Sequence, residues 1–338
     1  MTTVLFRGHM YRDSRIKRTT ILKRNDMIEI VDGYEGEAIY PVYRGTLIPA
    51  PVNGHTHIGD SFIQEEPPED LMSSVGPGGF KHRYLSTVSK SALVHGMKGA
   101  LSAALKSGTH RIYDFREGGL EGTAAIRKAA SGLNIDLKIL GRPATREEAL
   151  QMVNMVSGFG MSAISDHNFD FLLALSEMAY GSGKIFSIHF SERTREDIGM
   201  LLQLKPSLIV HGLKMTQEDI AAVQKNGIPL CITPRSNYLY GLNADYSRFY
   251  RNGLKVMIGT DNGFATTQDT LSELSFLYFI QRNFSRIDPA VLLKSAVYDP
   301  VAGETENSRY LLFDNAYLSE YQIVTKGYAI RKRLLQIT

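Results

Sequence analysis

One cysteine, Cys231, occurs in 338 residues, so an internal disulfide, a cysteine-rich zinc ribbon and the His/Cys/Cys site of nucleobase-editing deaminases are all excluded. Any metal must be held by histidines and carboxylates. No uncharged apolar run reaches the roughly 18 residues of a membrane-spanning helix. The first ten residues carry Arg7 and no small-residue cleavage site, so a soluble, cytoplasmic protein without membrane partners is expected. Charge of one sign is scarce too. The formal net charge is +3, too slight to argue for nucleic acid, and the densest basic cluster, Arg331-Lys332-Arg333, reads as a solvated strand terminus. The signatures H-E-x-x-H, Walker A, G-x-G-x-x-G and G-x-S-x-G are absent, which removes the chemistries those local patterns carry.

What is present is the composition of a globular protein, 43% hydrophobic and 22% charged. The length suits a barrel of about 250 residues with a satellite, or two ordinary domains. Residues 1 to 45 alternate apolar and polar in short runs such as Thr20-Ile21-Leu22 and Met27 to Val31, broken at Arg24-Asn25-Asp26 and Asp32-Gly33. This is hairpin-like β structure. The tail reads the same way, with a strand over Tyr321 to Thr325 before Lys326-Gly327. Together the ends predict a small β-sandwich domain built from 1–48 and 317–338, around a central domain over 49–316.

In that centre, strand, loop and helix alternate. The first strand runs from Thr46 to Val52, and seven more follow: His110 to Phe115, Leu137 to Leu140, Gly160 to Ile164, Ile185 to Phe190, Ser207 to Val210, Ile228 to Ile232 and Val256 to Gly259. A helix from about Ser89 to Lys106 stops at Gly108, a C-cap glycine. Capping patterns at Thr145/Glu148, Thr194/Asp197, Thr216/Asp219, Asp269 and Asp288-Pro289 open further helices. The polar passage from Glu65 to Phe80 is read as a long loop, either a linker or a functional segment, with Gly76 to Gly79 as a lid over substrate. Eight strands alternating with helices predict an α/β (β/α)8 TIM barrel, whose chemistry belongs at the strand C-terminal ends.

The strand ends are where the chemistry gathers. The first leads to His55 and His57; residues two apart on an extended chain share a face, and Gly54 leaves space beside them, with no side chain to block a ligand. The fifth ends in His189, three residues before Glu192; the sixth ends in His211-Gly212; the eighth leads to Asp261-Asn262-Gly263. Each alone has an ordinary structural reading, as a satisfied core histidine or a turn. Together, His55, His57, His189 and Asp261 would offer a divalent ion three nitrogens and an oxygen, with room for water.

The motifs Pro-x-x-Val-Asn-Gly-His-Thr-His (49 and 52 to 57), His-x-x-Glu (189 and 192), Val-His-Gly (210 to 212), Thr-Pro-Arg-Ser-Asn (233 to 237) and Gly-Thr-Asp-Asn (259 to 262) resemble those of the amidohydrolase superfamily, in the cytosine-deaminase-like and chlorohydrolase-like branch. The resemblance spans the chain in order, split β domain included. It implies a site for one divalent ion, zinc ahead of iron or manganese, because the fourth strand is followed by Ile164-Ser165-Asp166-His167 and not by the lysine of two-metal members. Asp166 or His167 would approach the ion or serve as a cap. Two departures are Ala50-Pro51 in place of Gly-Phe and the segment from Ser61 to Lys90, which does not match well.

The implied reaction is hydrolysis of a non-peptide C–N bond, by deamination or dechlorination of a small nitrogen heterocycle. The catalytic set would be Glu192 moving protons, His211 orienting the water and Asp261 accepting its proton. Arg235 and Asn237, with Ser236, are candidate substrate contacts or a plain structural turn. Arg116, after the second strand, either contacts substrate or pairs with Glu117. A cyclic amide hydrolase and a catalytically silent barrel used for assembly remain as alternatives, and a homo-oligomer stays open.

Overall fold

Pro49 and Pro51 divide the first apolar run in two, because proline cannot donate to a sheet ladder. A computed structural model describes residues 2–24, 27–33, 42–303 and 309–337; the expected break at Asn25-Asp26 lies outside them. Within these, β1 (Thr2–Arg12), β2 (Arg15–Arg24), β3 (Met27–Val31) and β4 (Tyr43–Pro49) belong to one sheet, and β5 (Val52–His57) opens another. The single strand expected over 46–52 is thus the end of β4, and the His-x-His pair lies within β5. Only Ala50 and Pro51 separate the two sheets.

The second sheet continues through β6 (Arg111–Arg116), β7 (Asp136–Gly141), β8 (Gly158–Met161), β9 (Ile185–Phe190), β10 (Leu208–His211), β11 (Leu230–Ile232), β12 (Val256–Ile258) and β13 (Asp261–Asn262). All neighbours are parallel. β12 and β13 are two halves of the eighth strand: the first pairs with β11 and the second with β5, and Thr260 N donates to His55 O. That closes the barrel. The fourth strand sits slightly earlier than expected, and Ile164–Asp166 is a 3-10 turn.

Inside, Val52, Tyr113, Phe115, Leu140, Leu208, Val210, Cys231 and Met257 form the apolar fill. Gly54 belongs to this layer. A Cβ there would meet Cys231 Sγ at 3.0 Å and Met257 Cβ at 3.1 Å, so its small size serves interior packing and not ligand access. At the N-terminal ends of the strands, Asp299 accepts from Arg111 and from the Tyr113 hydroxyl, at 2.9 and 2.7 Å, and forms a polar floor.

The small sheet runs β15-β14-β4-β1-β2-β3, with β14 (Arg309–Asp314) and β15 (Lys332–Gln336) from the tail. It therefore takes β14 from before residue 317. The expected strand over Tyr321 to Thr325 is a helix, Glu320–Lys326. A capping box of Ser319 and Gln322 starts it, and Ile323 and Val324 are buried. Its β-branched residues favoured a strand locally, and the cap and burial against the last barrel helices prevailed.

Helix Lys90–Ser107 begins at the Ser89 cap and ends at Gly108, whose φ of +98° only glycine adopts readily. Thr145 and Thr216 cap their helices, whereas Asp197 and not Thr194 caps Ile198–Leu204. The passage from 65 to 80 is not a bare loop: helix Leu71–Val75 is capped by Asp70, and helix Phe80–Thr87 follows. Among the described residues no helix is long and apolar enough to cross a membrane.

Candidate active site

His55 and His57 reach the same carboxylate from one end of β5. Asp261 Oδ1 lies 3.3 Å from His55 Nε2 and 3.6 Å from His57 Nε2, because β13 pairs directly with β5. The ligand atoms of one ion bound at about 2.0–2.1 Å are themselves roughly 3–4 Å apart. Asp261 Oδ2 accepts from Ser236 Oγ at 2.7 Å, which fixes the plane of the carboxylate. Burial would raise the pKa of Asp261, but the surrounding histidines outweigh it and hold the group well below the usual carboxylate range.

The orientation of each imidazole follows from what its other nitrogen meets. His189 Nδ1 is 2.7 Å from Met161 O. A carbonyl only accepts, so Nδ1 carries the proton and Nε2 is left as a lone-pair donor. His57 Nδ1 faces Phe115 O at 3.2 Å and Glu117 Oε1 at 2.7 Å, both acceptors, and the same logic frees its Nε2. His55 is completely buried, and neither ring nitrogen has a hydrogen-bond partner. Burial pushes its pKa down to about 3, so it is neutral. An orphaned neutral imidazole against a carboxylate and two lone-pair-bearing rings is the donor set a divalent ion satisfies.

His211 is arranged differently. Its Nδ1 accepts from Asn237 Nδ2 at 3.2 Å and lies 3.1 Å from Thr233 Oγ1 and 3.5 Å from Glu192 Oε1. With Nδ1 accepting, Nε2 carries the proton and makes a donor. The ring nonetheless joins the cluster, at 5.2 Å from His189 and 5.8 Å from His55 between centroids. Both His211 and Asp261 have left-handed backbones, φ +72° and +63°, a conformation that costs a non-glycine residue about 1–3 kcal/mol. Strain at two strand ends facing one point marks a functional mouth.

Glu192 follows β9 and also receives Asn237 Nδ2, at 3.3 Å. Burial raises its pKa, so the carboxyl keeps its proton to higher pH than an ordinary glutamate. Asn237 thus holds Glu192 and His211 in register. It is wholly buried, with Oδ1 accepting from Thr233 and Tyr246, so it stands behind the site and not against a substrate.

Arg235 and Arg116 are both engaged by carboxylates, and Arg116 makes the Glu117 pair that was one of its two expected roles. Arg235 is committed to Glu273, a fully buried acid that takes both its backbone N–H and its Nε, and its Nη2 donates to Thr267 O. Arg116 binds Glu117 through Nη2 at 2.6 Å and lies over Gly59, where a Cβ would come within 2.0 Å of its guanidinium. Buried carboxylates claim both guanidinium groups. His167 turns to Ser162 Oγ at 2.8 Å, while Asp166 lines the cavity wall.

Behind His57 stands an ionic layer that reading by motif missed in part. Lys81 is buried, with Nζ 2.7 Å from Glu117 Oε1 and 3.6 Å from Asp60 Oδ2. Nothing in the sequence marks Lys81. Arg142, by contrast, directly follows β7, so the strand-end rule applied to the third strand would have found it. Burial raises the pKa of Glu117, but His57, Lys81 and Arg116 outweigh it and keep the group well below its usual value. Glu117→Gln is expected to weaken binding of a divalent ion by about 10- to 100-fold, the usual cost of losing such a support. Competition with a chromophoric chelator measures it, and unchanged affinity would show that His57 needs no carboxylate behind it.

The cluster opens into a cavity of about 190 Å³, lined on the far side by Leu71, Met72 and Val75 of helix Leu71–Val75 and by Gly76 and Pro77 of the segment expected to act as a lid. That volume takes a small molecule and not a polymer.

The amidohydrolase family model matches residues 46–299. A protein of Archaeoglobus fulgidus provisionally named an aminohydrolase is 33% identical over 235 residues, covering 69% of each chain. Among solved structures, guanine deaminase from C. acetobutylicum with bound guanine superposes with a TM-score of 0.78 at 10% identity, over 97% of this chain and 96% of that one. An adenosine deaminase from Xanthomonas campestris with bound zinc gives 0.76 at 13% identity, over 96% and 88%. At such identities the structural likeness speaks for the fold.

Proposed function

Because this chain belongs to the amidohydrolase family, hydrolases acting on C–N bonds, we propose that it deaminates a small nitrogen heterocycle with one divalent ion, zinc first, held by His55, His57, His189 and Asp261. One observation carries the reading: Glu192, an acid whose pKa burial raises, lines the cavity beside the histidine cluster, 3.5 Å from His211 Nδ1. Release of an amine needs a proton delivered close to neutral pH, and this carboxyl is suited to bring it.

When bound, a divalent ion supplies Lewis acidity and a water that is nucleophilic at neutral pH. The chain does the rest. His211 Nε2 orients the water by donating to its oxygen, and Asp261 takes its proton. Glu192 Oε1 protonates a ring nitrogen as the oxygen bonds to the neighbouring ring carbon. The C–N bond to the amino group then breaks: the proton held by Asp261 goes to the departing nitrogen, which leaves as ammonia, and the hydroxyl proton on the new oxygen returns Glu192 to its acid form. One water is consumed, and a ring carbonyl replaces the amine.

The relatives named for adenosine, guanine and aminodeoxyfutalosine deamination support a heterocyclic substrate. The test is elemental analysis coupled to an ammonia-release screen over purines, pyrimidines, pterins and triazines. About one ion per chain with ammonia from at least one class is expected. A ring-opened carboxylate without ammonia would assign the site to cyclic amides instead.

A further inference from the structure

Next to the catalytic cavity lies a second, larger hollow, an open groove of about 1270 Å³ over the first turns of helix Gly119–Ala130. Its walls are largely apolar: Leu93, Val94 and Met97 from helix Lys90–Ser107 on one side, Leu120 and Ala125 on the other, and Met155 beyond. The two hollows share Pro77, His82, Arg142, Ser162 and Asp166 as common walls. At that junction Arg142 donates Nε to Gly160 O at 3.1 Å, while its Nη2 is buried without a partner. A buried guanidinium nitrogen left unpaired is costly, and a passing acceptor would satisfy it.

We propose that the substrate is a heterocycle carrying an apolar arm about the size of a phenyl ring, with the ring at the histidine cluster and the arm in this groove, passing Arg142. The proposal rests on the deaminase reading for the ring and on the groove alone for the arm. The five residues common to both hollows select a substrate arm over a protein partner: the groove lies one shared wall away from a molecule anchored at Glu192. Apolar surface removed from water then adds affinity without touching the reacting atoms.

The test measures binding by calorimetry in the metal-loaded E192Q protein, which retains ligand without turning it over. Adenine, guanine and cytosine are compared with 9-benzyladenine, 9-benzylguanine and 1-benzylcytosine. At least one benzyl compound is expected to bind tenfold or more tighter than its parent, about 1.4 kcal/mol. Ala125→Trp and Val94→Trp, which fill the groove from opposite walls, should each bring that ratio close to one, with thermal melts confirming folding. Equal affinities within every pair, no binding of any benzyl compound, or a benzyl preference that survives both tryptophans would overturn the proposal. Ammonia release by the wild-type protein separates the two ideas. A benzyl preference without ammonia from any compound sinks the deaminase reading and keeps the groove, and ammonia without the preference does the reverse.

Discussion

Replacing Glu192 by glutamine is expected to lower kcat by about 10²- to 10⁴-fold, the range that a positioned proton donor contributes, while ion content and thermal midpoint stay at wild-type values. The amide has the same size and can still meet Asn237 Nδ2, which lies 3.3 Å from Glu192 Oε1. It cannot give up a proton to a ring nitrogen. Burial raises the pKa of Glu192, and an amide of the same shape is buried there without a charge, so little stability is expected to be lost. KM should change far less than kcat if the carboxyl acts on the reacting atoms. A variant with wild-type turnover would remove Glu192 from the reaction.

The second large effect concerns His55, and its sign depends on the ion. With metal present, His55→Leu should abolish stoichiometric binding and with it nearly all activity. The wild-type protein gains stability from the ion by mass action, about 4 kcal/mol at a thousandfold excess over Kd, and the variant should gain nothing. After chelation the order is expected to close or reverse. Metal-free wild type keeps two buried ring nitrogens without partners, and a buried group left unpaired costs about 1–3 kcal/mol. Leucine has no polar atom to strand there. Melting curves with excess Zn²⁺ and with EDTA read both halves, and a variant that still carries one ion per chain would show that His55 is no ligand.

How much of this could be read in the sequence differs from residue to residue. The barrel was legible because its strands are short apolar runs at regular spacing, and the histidine and aspartate positions followed from the rule that strand ends carry chemistry. Asp261 meets His55 only because the eighth strand closes on the first, which topology supplies and no local pattern does. The roles of Arg235 and Arg116 stayed open because a guanidinium in a motif says nothing about where it points: Glu117, which takes Arg116, is the next residue, and Glu273, which takes Arg235, is 38 residues away. Lys81 and the helices around it lay in the stretch without matching motifs. The tail helix Glu320–Lys326 was hidden by its own Ile323-Val324-Thr325, and the Ser319 cap was the signal that would have revealed it.

The polar floor under the barrel has a consequence for traffic. Asp299 ties Arg111 and Tyr113 together, and the packed layer above it leaves no passage along the axis. Among the described residues, traffic is therefore confined to the C-terminal ends of the strands, where the cavity and the groove beside it open. Reactant and product share that one face, so a slow-leaving product is expected to compete with the next arrival.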